Sequence, residues 1–104
     1  MGKNFTEAEK WLLKADGYPP AVRMLGLLEY ARFRETGEGR PERAAELMRE
    51  AAEMGDVTAK YNLGVFHENG MGVAQDDRMA ARWFAEAAQS GLEAKEIRRI
   101  IYEL

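Results

Sequence analysis

His67 is the single histidine of this sequence, and a lone histidine invites a catalytic or metal-binding reading. A ligand set needs partners, and the chain has no cysteine and no second histidine to supply them. Carboxylates are plentiful, as in Glu7, Glu9, Glu46, Glu50 and Glu53. They lie at helical spacing among Lys10, Arg43 and Arg49, which is ordinary surface pairing rather than a paired acid and base. Gly37-x-Gly39 and Gly70-x-Gly72 resemble phosphate-cradling loops, but neither has the Gly-x-x-x-x-Gly-Lys pattern or a preceding strand. The expectation is therefore no catalytic residue, no metal and no cofactor, with His67 a packing side chain.

The elements that carry these residues repeat. Ala8-x-x-Trp11-Leu12-x-x-Ala15 is echoed by Ala44-x-x-Leu47-Met48-x-x-Ala51 and by Ala80-x-x-Trp83-Phe84-x-x-Ala87, a constant shift of 36 positions. Each places apolar side chains at i, i+3, i+4 and i+7, one face of a helix. Between the echoes, Ala21-x-x-x-Leu25-Gly26 returns as Ala59-x-x-x-Leu63-Gly64. Such self-similarity predicts an all-α solenoid of antiparallel helix pairs. Six helices are expected. Thr6 and Glu9 form a capping box for the first, which runs to about Ala15 before Gly17, Pro19 and Pro20. The second carries Ala21, Leu25, Leu28 and Phe33. Pro41 opens the third and Asp56 caps the fourth, which aligns Ala59, Leu63, Phe66 and His67. Asp76 or Asp77 opens the fifth, which ends at Gly91. The sixth, from Leu92, puts Ile97, Ile100, Ile101 and Leu104 on a stripe. Glycine inside a helix costs roughly 1 kcal/mol relative to alanine, so Gly26 and Gly64 imply close packing, with the alanines of the odd helices opposite.

Composition narrows the function. The 104 residues make one small domain, 46% hydrophobic and 32% charged. A net charge of -3 argues against nucleic-acid binding, which depends on neutralising phosphates. No apolar run reaches the ~20 residues of a membrane span, and no apolar signal core follows Met1, so a cytoplasmic protein without membrane insertion is expected. Met1-Gly2-x-x-x-Thr6 fits a myristoylation pattern and Asn4-Phe5-Thr6 a glycosylation sequon, and neither has the context that would give it meaning.

The stretch from Asp56 to Gly91 resembles a Sel1-like repeat, a relative of the tetratricopeptide repeat. The resemblance is carried by Ala59-Lys60-Tyr61-Asn62-Leu63-Gly64-Val65-Phe66-His67-Glu68-Asn69-Gly70-Met71-Gly72-Val73, then Ala80-Ala81, Trp83-Phe84, Ala87-Ala88 and Gly91. His67 stands where the family usually has tyrosine. Residues 18–55 are similar but degenerate, with Arg23-Met24 in place of the usual Tyr-Asn. Residues 6–17 resemble the second helix of a repeat alone, and 92–104 would be a capping helix over the last apolar face.

In such a stack the first helix of each unit lines the concave surface. Arg23, Leu27, Tyr30 and Arg34 then form one line, matched on the fourth helix by Tyr61, Val65 and Glu68 with Asn62 and Asn69 beside it. Aromatic and arginine side chains are the usual anchors of protein interfaces, so these nine residues are candidate contacts for a protein or peptide; the alternative is a solvated face with scattered apolar groups. The leading expectation is a non-enzymatic interaction module or adaptor. An inhibitor or immunity protein that blocks a cognate effector is the alternative, a bacterial origin would suit either, and an enzyme comes third. Trp11 sits on a helix without a preceding partner. It is expected to be covered by the second helix rather than left open for self-association, and a monomer is expected over a homodimer.

Overall fold

Prolines and aspartates decide where the helices begin. The computed structural model describes the backbone of residues 5–15 and 17–103 and the side chains of residues 7–15 and 17–91. Helix α1 spans Phe5–Leu13 and α2 spans Pro19–Thr36, with both prolines in the first turn, where a missing N–H costs nothing. Helix α3 spans Pro41–Glu53 and starts in the same way. Helix α4, Val57–Asn69, is capped by Asp56, whose Oδ1 accepts from Ala59 N at 2.8 Å. Asp76 performs this role for α5, Asp77–Glu103, accepting from Arg78 N and Met79 N. Every element among the described residues is a helix, and each packs on its neighbours in sequence: α1 on α2, α2 on α3, α3 on α4, α4 on α5. This is an α-solenoid of antiparallel pairs.

One boundary differs from expectation. No break separates a fifth helix from a sixth, because α5 continues through Gly91 for 27 residues. The earlier junctions reverse at Gly17 (φ 79°) and Gly55 (φ 98°), each followed by a proline pair or a capping aspartate. Leu92-Glu93-Ala94-Lys95-Glu96 after Gly91 offers neither, only good helix formers, and they propagate the helix at the modest cost of one glycine. Thr6 of the capping box, the stripe Ile97, Ile100, Ile101 and Leu104, and its capping role lie outside the described side chains.

The core is built around α3. Ala44, Ala45, Met48, Ala51 and Ala52 are all buried, with Val22 from α2 on one side and Ala59, Leu63 and Phe66 from α4 on the other. Gly26 allows a close approach, since a Cβ there would lie 3.1 Å from the Ala44 carbonyl and 3.3 Å from Leu47 Cβ. Gly64 has a different neighbour from the one expected: the Phe84 ring, 2.6 Å from where a Cβ would stand, and not an alanine. On α2 the buried positions are Ala21, Val22 and Gly26, whereas Leu25 and Leu28 are half-buried and Phe33 is exposed. The loop after α4 folds back over the core. Met71 N bonds to Phe66 O and Asp76 N to His67 O, Met71 and Val73 pack on the core, and Gly72 (φ 72°) passes against the Pro41 carbonyl where no side chain would fit.

Trp11 is 62% exposed, so the expectation that α2 covers it is wrong. Its counterparts Leu47 and Trp83 are half-buried against the core by a neighbouring first helix, and α1 follows no described helix of that kind. The Lys14 ammonium lies 4.4 Å from the Trp11 ring centroid, while Arg32 ties α1 to α2 through Glu9 at 2.7 Å. The hydrogen bond to Glu9 raises the Arg32 pKa above that of a free guanidinium.

Gly64→Ala should cost about 1–3 kcal/mol by overpacking against Phe84, and adding Phe84→Leu should recover part of that loss in urea unfolding. Trp83→Ala should cost at least about 2 kcal/mol. Trp11→Ala at the equivalent position should change stability by less than about 1 kcal/mol.

Candidate partner-binding face

The residues with chemistry are dispersed. His67 is buried on the core side of α4, both ring nitrogens without a protein partner. Among the described residues no group of three or more His, Asp or Glu side chains is placed to hold a metal. Glu46 lines a depression of about 160 Å³ with Glu42, Arg49 and the Gly72–Val73 turn, and Glu9 is engaged by Arg32. The two Gly-x-Gly stretches are helix endings. Gly37 and Gly70 adopt left-handed conformations and return N–H bonds to Phe33 O and Phe66 O, so these amides are not turned towards a phosphate.

The line expected along α2 is only partly exposed. Leu27 is 40% exposed and Arg34 is exposed, as is the neighbouring Met24. Tyr30 is half-buried on the core, its ring centroid 5.7 Å from Phe66 and 6.4 Å from Phe33. Arg23 is drawn down towards Asp56, its Nε 3.0 Å from Oδ1 as an ion pair rather than a well-aligned hydrogen bond. Both therefore act within the fold. Tyr30 lies where the helix faces the α4 aromatic, and Arg23 lies beside the cap of α4.

On α4, Tyr61 is 56% exposed and its ring sits 5.3 Å from Phe84. Asn62 is half-buried, its Nδ2 3.9 Å from Met48 Sδ. Val65 is half-buried, and Glu68 and Asn69 are exposed, with Asn69 Nδ2 donating to Val65 O at 2.9 Å. Tyr61 also belongs to a feature that sequence reading did not anticipate: an open apolar groove of about 470 Å³ lined by Val57, Thr58, Tyr61, Phe84, Ala87 and Ala88. The 36-residue echo marks Phe84, Ala87 and Ala88 as packing positions, equivalent to the buried Met48, Ala51 and Ala52. The signal that could have exposed the difference is the missing turn chemistry after Gly91.

The Arg23–Asp56 contact separates two roles of one carboxylate. Asp56→Ala should cost about 1–2 kcal/mol by removing the helix cap. Asp56→Asn keeps the cap and breaks only the ion pair, so its loss in thermal unfolding should be the smaller.

Comparison with known proteins agrees with this geometry. A family model described as the Sel1 repeat matches residues 1–15, 19–56 and 57–92. The chain is also 38% identical over 61 residues to an exopolysaccharide production negative regulator of Rhizobium leguminosarum bv. viciae. That match takes in 59% of this chain and 23% of the relative, so the chain spans less than a quarter of that protein's length. No helix among the described residues is long and apolar enough to cross a membrane.

Proposed function

Because this chain belongs to the Sel1 repeat family, we propose that it is a non-enzymatic interaction module holding a protein or peptide against the concave flank of its first helices, α2 and α4. The observation that carries this reading is the exposure of large apolar side chains on those two helices, Met24, Leu27 and Tyr61, with Phe33 also in solvent near the end of α2. Each lies in a regular helix whose opposite side is packed, so its exposure is not a by-product of poor folding. Arg34, Glu68 and Asn69 supply exposed polar groups alongside, giving an apolar centre with a polar margin, the usual composition of a protein interface. Of the nine sequence candidates, Leu27, Arg34, Tyr61, Val65, Glu68 and Asn69 suit direct contact. Arg23, Tyr30 and Asn62 support the surface from below through Asp56, Phe66 and Met48.

The Rhizobium relative is named a negative regulator, which favours a second form of the same reading. Binding would silence the partner, as an inhibitor or immunity protein does, rather than recruit it to another protein. In either form the partner's surface offers apolar side chains to Leu27 and Tyr61 and an acidic group to Arg34.

Affinity capture from the host with the wild type and with Leu27→Ser/Arg34→Ala tests the assignment. A partner retained by the wild type should be lost at least about tenfold from the variant, a difference of roughly 1.4 kcal/mol, with helicity and melting unchanged. Equal capture would remove α2 from the binding face. A reproducible turnover abolished by one carboxylate substitution would contradict the non-enzymatic reading.

A further inference from the structure

The groove between α4 and α5 has an internal template. In α3, Met48, Ala51 and Ala52 are 0%, 0% and 1% exposed because they pack with Ala59, Leu63 and Phe66 of α4. Phe84, Ala87 and Ala88 stand at the equivalent places of α5, yet Phe84 is only half-buried and Ala88 is exposed. Together with Val57, Thr58 and Tyr61 they leave an apolar channel where a helix lies one unit earlier. Its fitting occupant is an amphipathic helix with apolar side chains at i, i+4 and i+7, the spacing of Ala59, Leu63 and Phe66.

The sequence of this chain offers such a stripe. Ile97, Ile101 and Leu104 have that spacing in the sequence, on the segment after Gly91. The segment is directed away from the groove of its own chain. Lys60 Nζ donates to Ser90 Oγ at 2.8 Å and ties α4 to α5 up to that point, and Gly91 has no left-handed φ of the kind that reverses the chain at Gly17 and Gly55. A straight helix rising about 1.5 Å per residue carries Ile97 beyond Gly91, whereas the groove lies on the other side of Gly91, at residues 84–88.

We propose that the groove receives residues 92–104 of a second copy of this chain, exchanged reciprocally in a two-fold dimer. The symmetric exchange fills both grooves and covers both stripes with one repeated contact, so the association closes at two copies. This goes beyond the partner-binding reading: Tyr61 is common to both contacts, whereas Leu27 and Arg34 are used only by the heterologous partner.

Sedimentation equilibrium with the full chain and two single variants tests it. The wild type should sediment at twice the 11.8 kDa chain mass. Ala88→Arg, which blocks the groove at an exposed position, and Ile101→Asp, which spoils the stripe, should each be monomeric with wild-type helicity by circular dichroism. An equimolar mixture of the two should recover dimer, because the intact stripe of one fits the intact groove of the other. A monomeric wild type, dimers that persist in both variants, or a mixture that stays monomeric would each overturn the proposal. None of these results depends on capture of a heterologous partner through α2.

Discussion

Close approach of helices to the small-residue face of α3 is the contact on which the rest of the molecule depends. Ala44, Ala45, Ala51 and Ala52 are buried by helices on both sides, and Met48 fills the space between them. Alanine gives little hydrophobic surface per residue, so stability must come from proximity and from many dispersion contacts at optimal distance. The two mid-helix glycines permit that proximity. Gly26 brings α2 onto the Ala44 carbonyl and Leu47, and Gly64 lets the Phe84 ring sit against the α4 backbone. The helix-propensity cost of each glycine is offset by the packing it allows.

The connections are shaped by the same constraint. Helices that approach this closely need tight turns, and left-handed glycines at 37, 55 and 70 supply them. The loop from Gly70 to Asp76 is also a lid for the core. Met71 and Val73 add apolar cover, and its backbone is pinned to the end of α4 by bonds to Phe66 O and His67 O. Asp56 joins two units, since one carboxylate caps α4 and pairs with Arg23 of α2. Arg23, which reads in sequence as a surface anchor, is thereby a link between units. Tyr30 makes the equivalent aromatic link through Phe66.

A repeat in sequence is not a repeat in burial. Trp11, Leu47 and Trp83 share one position in the 36-residue pattern, but a first helix covers only the latter two. Met48, Ala51 and Ala52 share theirs with Phe84, Ala87 and Ala88, and only the α3 set is fully enclosed. In a solenoid each unit is covered by its neighbour, so burial depends on what lies next along the stack as much as on the unit's own residues. The proposed binding surfaces lie where that cover is missing.

Legible in the sequence were the helical class, the pairing of helices, their starts at the Pro19-Pro20 pair, Pro41, Asp56 and one of Asp76 and Asp77, and the inward side of α4 from Ala59 to His67; the structure chose Asp76 as the cap. These follow from local physics: periodicity, capping, and the backbone limits of proline and glycine. Tertiary structure decided the continuity of α5 past Gly91, the exposure of Trp11, the descent of Arg23 and Tyr30 into contacts, and the groove beside Tyr61. Each of these depends on which element covers a given face. A helix pattern shows that a stripe is apolar, but whether it is enclosed or open is set by a second element whose path depends on turn chemistry and packing along the whole stack.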